Sequence, residues 1–172
     1  MNDGELFEQR PDIFDRIMSW KIFKKIEPFY KKNKEMLLYL FFGFCTTLVA
    51  FVAFAAAVSV IELPDISLFG HTINTSIQVS NIISWVCGVI FAYVTNRIWV
   101  FSSKVSGAKA IAKECAAFCA GRLFTLVVEN ILLNLCVESF GIGEMVAKII
   151  VSVVTIILNY VISKLIVFRK KA

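Results

Sequence analysis

From Met36 to Ile61 the chain carries no charged side chain at all. About 20 mostly apolar residues suffice to cross a bilayer as a helix, and a water-soluble domain has no use for so long an unbroken apolar surface. Three further stretches read the same way. Val79–Phe101 holds only Arg97, Ala116–Val137 holds Arg122 and Glu129, and Ile149–Phe168 holds only Lys164. Hydrophobic residues make up 58% of the 172, and mean hydropathy is +0.76. Four spans consume most of the chain and leave no room for a separate soluble catalytic domain. The expectation is an all-α integral membrane protein. Its four transmembrane helices fall at about 36–61, 79–101, 115–137 and 147–168, within a membrane domain of residues 36–171. Residues 1–35 form a polar and charged N-terminal segment. It lacks the short apolar core that a cleaved signal peptide places near the start.

The basic residues alternate between loops. Eight Lys or Arg precede the first span, none lies in Glu62–Gln78, three lie in Ser102–Glu114, none in Glu138–Glu144, and three in the tail. Basic connections stay in the cytoplasm. Both termini and the Ser102–Glu114 loop are therefore expected there, with Glu62–Gln78 outside. Anionic headgroups account for this basic charge, and no nucleic-acid partner is needed.

The chain also repeats itself. Ala92–Phe101 reads AYVTNRIWVF and Asn159–Phe168 reads NYVISKLIVF. Tyr93/Tyr160, Val94/Val161, Val100/Val167 and Phe101/Phe168 are identical, and Arg97 matches Lys164. The first spans of the halves echo each other too, as GFCTTLV at Gly43–Val49 and GRLFTLV at Gly121–Val127. The unit is a helical hairpin used twice. Two spans return the chain to its starting side, so the copies are parallel. Internal repeats are common in transporters, which place their sites at the repeat interface. Duplication also builds purely structural bundles.

Around these spans the signals are weaker. Asp12–Glu35 interleaves Phe14, Ile17, Met18, Trp20, Ile22, Phe23, Ile26, Phe29 and Tyr30 with Lys and Arg, with Pro28 as a break. Such a segment suits an amphipathic helix lying on the inner leaflet, or a docking helix for a partner enzyme. Glu62–Gln78 suits a short interfacial helix or hairpin. His71, the single histidine, has no companion ligands. The five cysteines lie in or beside spans, and Cys115 and Cys119 share a helix face as small packing residues. No metal centre or cofactor is expected. There is no phosphate-binding Gly-rich loop, HExxH, Ser/His/Asp set or pair of loop carboxylates, so the chain is not expected to be an enzyme.

The polar residues inside spans remain. Arg97 stands seven residues before Lys104, roughly 10 Å deeper along a helix. Arg at that depth either snorkels to the headgroups or captures a phosphate with several charge-assisted donors. Lys164 is its counterpart in the second copy. Asn96 and Trp99 flank the first cation, and Phe101, Ile166 and Phe168 supply apolar clamps. Arg122 lies nine residues past Lys113, roughly 13 Å deeper, with Glu129 two turns further on. Charges there cost at least a few kcal/mol and need a partner or a wet cavity. With Asn130 and Asn159 they form either a polar path through the membrane or hydrogen-bonded glue between helices.

NRIWVF ending the second span, NYxxSKxxVF ending the fourth, Gly-x-x-x-Thr in the first and the basic ends together resemble the GtrA-like family of bacterial four-span proteins. The resemblance covers about residues 36–168, and Asn96, Arg97, Trp99, Phe101 and Lys164 match its motif positions. In the second copy Lys164 replaces Arg and Ile166 replaces Trp. The resemblance implies a multi-pass protein of the bacterial cytoplasmic membrane that flips undecaprenyl-phosphate-linked sugar for the glycosylation of surface polymers. The Lys- and Ile-rich composition favours teichoic acid as the polymer. Implied partners are that lipid-linked sugar, membrane lipids and a membrane glycosyltransferase. Four short helices offer little interior, which favours a homo-oligomer. The alternative is a non-transporting subunit that anchors or orients a glycosyltransferase. A small multidrug exporter is disfavoured, because it needs a Glu embedded in its first span.

Overall fold

The computed structural model describes residues 13–19, 25–68 and 71–169. In chain order the elements are α1 (Ile13–Met18), α2 (Glu27–Val60), β1 (Ile66–Leu68), β2 (His71–Ile73), α3 (Thr75–Thr95), α4 (Ala108–Asn134) and α5 (Glu144–Ile162). Among the described residues, α2 to α5 are the four helices long and apolar enough to cross a membrane. Much of their large apolar surface faces outward, as in Phe51 at 74% exposure, where a bilayer would cover it. The chain is an all-α membrane protein with one small addition. The expected hairpin in Glu62–Gln78 is an antiparallel β pair, with Ile66 opposite Ile73 and Leu68 opposite His71.

Local chemistry explains the helix ends. The Asn74 side chain caps α3 by accepting the Ile77 N–H at 3.0 Å. Gly107 and Gly141, both at positive φ, precede α4 and α5. Pro28, expected to break the N-terminal segment, instead sits in the first turn of α2, where its missing N–H costs nothing. Hence α2 begins at Glu27, well before the apolar run. At 1.5 Å per residue its 34 residues exceed a bilayer core of about 30 Å. Its first two turns, carrying Lys31, Lys32, Lys34 and Glu35, overhang the basic end. Asn33 departs from helical geometry there and bends the overhang.

Among the described residues of the amphipathic segment, α1 stands as a separate helix, and Trp20, Ile22 and Phe23 lie outside the described residues. Phe14 of α1 meets the rings of Phe41 and Phe42 at 5.7 and 5.6 Å, and Asp15 pairs with Lys34 at 2.6 Å. Thus α1 is tied back onto α2, with Ile13 and Ile17 turned outward.

The two hairpins are α2–α3 and α4–α5. On α3, Ser80, Ser84, Gly88 and Ala92 form a buried stripe four residues apart. Small residues let two helix backbones approach closely in a membrane. The Ser84 hydroxyl donates across the seam to the Ala50 carbonyl at 2.7 Å. On α5 the equivalent buried stripe is Ala147, Val151 and Thr155, continued by the half-buried Asn159, which accepts from Thr125 of α4 at 2.9 Å.

Three of the four spans do not end as plain α-helices. α3, α4 and α5 each close with a π-helical turn, at Asn96–Val100, Leu135–Ser139 and Ser163–Val167. A π turn widens the helix and re-aims its side chains, and such turns recur at functional sites. Two of the three carry the paired cations, Arg97 and Lys164.

Candidate functional site

The hairpins join at their basic end through rings from both copies of the repeat. Phe101 and Phe168 stack at 4.9 Å. Tyr93 lies against Phe168 at 6.2 Å, and Tyr160 lies against Phe101 at 6.1 Å. Exchanging the repeats turns one contact into the other, so the parallel hairpins are related by an approximate two-fold axis along the bundle.

The charges follow the same symmetry. Arg97 Nε on the first hairpin bonds Glu114 Oε1 on the second at 2.7 Å, and Tyr93 donates to that oxygen at 3.0 Å. Lys164 on the second hairpin bonds Glu35 on the first at 2.7 Å and also reaches the Tyr160 hydroxyl at 3.1 Å. Each half thus lends a carboxylate to the other half's Tyr–cation pair. Glu114 is further held by the Ser103 hydroxyl at 2.6 Å, and Arg97 Nη2 donates to the Val105 carbonyl.

Water reaches the two sites differently. The Glu114 side chain is 3% exposed and that of Arg97 20%, against 39% for Glu35 and 46% for Lys164. Lys164 and Glu35 line an open cavity of about 480 Å³, together with Lys31, Lys32, Trp99 and Tyr160. The groove gathers the overhang of α2, the π turn of α3 and the π turn of α5. An anion entering it meets ammonium groups at its rim and the Trp99 ring, itself stacked on Phe42 at 5.4 Å.

Of the residues expected to bind phosphate, Lys164 and Trp99 stand in this groove. Arg97 is instead committed to Glu114. Asn96 is buried, and its amide donates to the Ala92 carbonyl of its own helix. The expected polar path divides as well. Glu129 accepts from Lys148 at 2.6 Å near the opposite end, the Asn130 amide turns back to Leu126, and Asn159 binds Thr125 within its own hairpin. Arg122 alone faces the first hairpin. Its guanidinium lies 5.0 Å over the Phe118 ring and within electrostatic reach of Tyr39 on α2. Among the described residues it has no carboxylate partner.

Sequence reasoning missed Glu35, Glu114, Lys31 and Lys32. Each hairpin's first helix brings one Glu to the basic end, where the second helix of the other hairpin brings its cation, and only the packing of the hairpins shows it.

The family profile of the GtrA/DPMS transmembrane domain matches residues 38–168. The chain belongs to that family. Its similarity to known members is substantial. It is 35% identical over 143 residues to the cell wall teichoic acid glycosylation protein GtcA of Listeria innocua, covering 83% of this chain and 90% of that one. It is 32% identical to the GtcA of Listeria monocytogenes over 157 residues, 91% and 99% of the two chains. An uncharacterized membrane protein of Bacillus subtilis, YwcD, is 29% identical over 133 residues, 77% and 95%. No solved structure matches significantly. The GtrA/DPMS match spans both hairpins and the whole repeat, but it starts after Glu35 and so leaves out the α2 overhang that closes the groove.

Proposed function

We propose that this protein serves the glycosylation of cell-wall polymers by moving a polyprenyl-phosphate-linked sugar across the bacterial cytoplasmic membrane. Its relatives named for teichoic acid glycosylation support the wider role. The observation that carries the finer one is the groove at the basic end, where Lys164, Lys31, Lys32 and Trp99 meet between the two repeats. The alternation of basic loops supports a cytoplasmic basic end. A polyprenyl-phosphate sugar has a headgroup excluded by hydrocarbon and a tail that favours it. The groove takes the phosphate at headgroup depth through charge-assisted hydrogen bonds, and the tail stays in lipid along the exposed apolar helices. Arg122, the deeper cation facing both hairpins, is the next station for the phosphate, and its cost in the membrane is offset by that role.

Proteoliposomes with a labelled polyprenyl-phosphate sugar test this, with an impermeant reagent that modifies only outward-facing headgroups. Wild-type protein speeds exposure of the label over empty vesicles, and Lys164→Gln reduces it at least tenfold. Wild-type vesicles that match empty ones, with activity only after a glycosyltransferase is added, would establish the anchoring-subunit alternative instead.

A further inference from the structure

We propose that Glu35 is a built-in competitor for the site. It holds Lys164 until an anionic lipid headgroup displaces it, and the displacement unlatches one hairpin from the other. The inference rests on the function proposed above and adds a gating residue to it.

The geometry separates this pair from its symmetry mate. Glu114 is enclosed by Arg97, Tyr93 and Ser103, and its side chain is 3% exposed. Glu35 meets Lys164 at 2.7 Å on the wall of an open cavity, with both side chains partly exposed. A carboxylate in that position occupies the cation that a phosphate would use. The lysines of the same wall favour the phosphate in the exchange. Lys32 is exposed beside it, as is Lys31, which also pairs with Glu27 at 2.9 Å. A sugar-linked phosphate carries one charge, as a carboxylate does. Its advantage comes from reaching these ammonium groups together with Lys164, and a monoester such as farnesyl phosphate adds charge to that.

The exchange has a mechanical consequence. Glu35 belongs to α2 and Lys164 to the π turn after α5, so their bond joins the two hairpins. When Lys164 turns to the ligand, that bond breaks while the buried Arg97–Glu114 bond remains. One crossed pair then acts as the hinge and the other as the latch. A ligand shifts such an equilibrium only through its preference for one state. Here the preference arises because headgroup and Glu35 cannot hold Lys164 together.

The test uses the full chain in phosphatidylcholine nanodiscs and farnesyl phosphate as the probe, with neutral farnesol as control. Spin labels at Leu40 of α2 and Leu165 of the π turn after α5, both exposed, report hairpin separation in a background without native cysteines. Glu35→Gln should bind farnesyl phosphate about three- to fivefold more tightly than wild type, the scale of an exposed ion pair. Farnesol affinity should not change, and farnesyl phosphate should lengthen the wild-type label distance. If Lys164→Gln weakens binding but Glu35→Gln does not tighten it, the competitor role falls while the phosphate site stands. If farnesol gains equally, the effect of Glu35 is not anion competition and the proposal falls. Tighter binding without a change in label distance overturns the latch. Absence of binding by wild type and Glu35→Gln alike overturns the phosphate site and the latch together.

Discussion

Arg97–Glu114 and Lys164–Glu35 join the same two hairpins at the same end, through cations at matching repeat positions, yet water treats them differently. In the first pair the carboxylate is buried with Tyr93 and Ser103 around it and Arg97 is only a fifth exposed, and the second lies open in a groove. A buried pair is expensive to break because the survivor is left charged in an apolar setting. An exposed pair contributes about 0–1 kcal/mol, because water replaces either partner. The repeat supplies a cation at the same place in each hairpin. The first works as a fastening and the second is accessible, with the strongly hydrated Lys where the other copy has Arg.

The largest effect that separates the two pairs is on stability. Glu114→Ala strands Arg97 and removes the acceptor of Tyr93 and Ser103, at a cost of about 3–5 kcal/mol. Glu35→Ala should cost less than about 1 kcal/mol. Thermal unfolding in one detergent, at one protein concentration, should lower the midpoint for the first variant far more than for the second. Equal shifts would mean that the pairs are equivalent and that burial does not distinguish them.

A second contrast lies in the matched glycines. Gly43 and Gly121 occupy the same place in the sequence repeat, but only Gly121 is crowded. A Cβ there would stand 3.0 Å from Ile162 Cγ2, whereas at Gly43 it would meet nothing within 4 Å. Gly121→Ala should therefore spread α4 from α5 and cost about 1–3 kcal/mol. Gly43→Ala should be neutral or stabilising by roughly 0.5–1 kcal/mol, since Ala is the better helix former. Denaturation of the two variants side by side measures this. In the first hairpin the close approach is made by Gly88, 3.4 Å from Ala50 Cβ by the same construction.

The comparison also shows what a sequence of this kind reveals. The four spans and the two-hairpin repeat were legible, because hydrocarbon demands long apolar helices and duplication leaves identical aromatics in place. The paired cations at Arg97 and Lys164 were legible for the same reason. Their partners were not. Glu35 and Glu114 lie outside the apolar runs and read as ordinary headgroup charges, and only the crossed packing of the hairpins brings them to the opposite cation. The π turns left no mark either, since NRIWV and SKLIV would fit an α-helical turn equally well. Glu129, taken for part of a path with Arg122, answers to Lys148, a residue just outside the fourth apolar run that sequence reasoning passed over. Long-range pairing decided each of these cases, and local pattern carries no record of it.

The smallest expected stability change falls on the residue with the largest functional one. Lys164→Gln removes one partner of an exposed pair, and Glu35 then turns to water, so unfolding should shift by less than about 1 kcal/mol. Arg97→Gln, at the matching position, leaves Glu114 buried and charged and should approach the cost of Glu114→Ala. Surface glycosylation in cells, measured at equal protein abundance, should nevertheless fall sharply in Lys164→Gln. Lys164→Arg should restore part of it, because a guanidinium still offers charged donors to a phosphate but needs more room than the ammonium beside Tyr160. A Lys164→Gln protein that melts early and glycosylates in proportion to its abundance would make the second pair a fastening like the first. A stable protein without glycosylation would separate the two copies as latch and hinge.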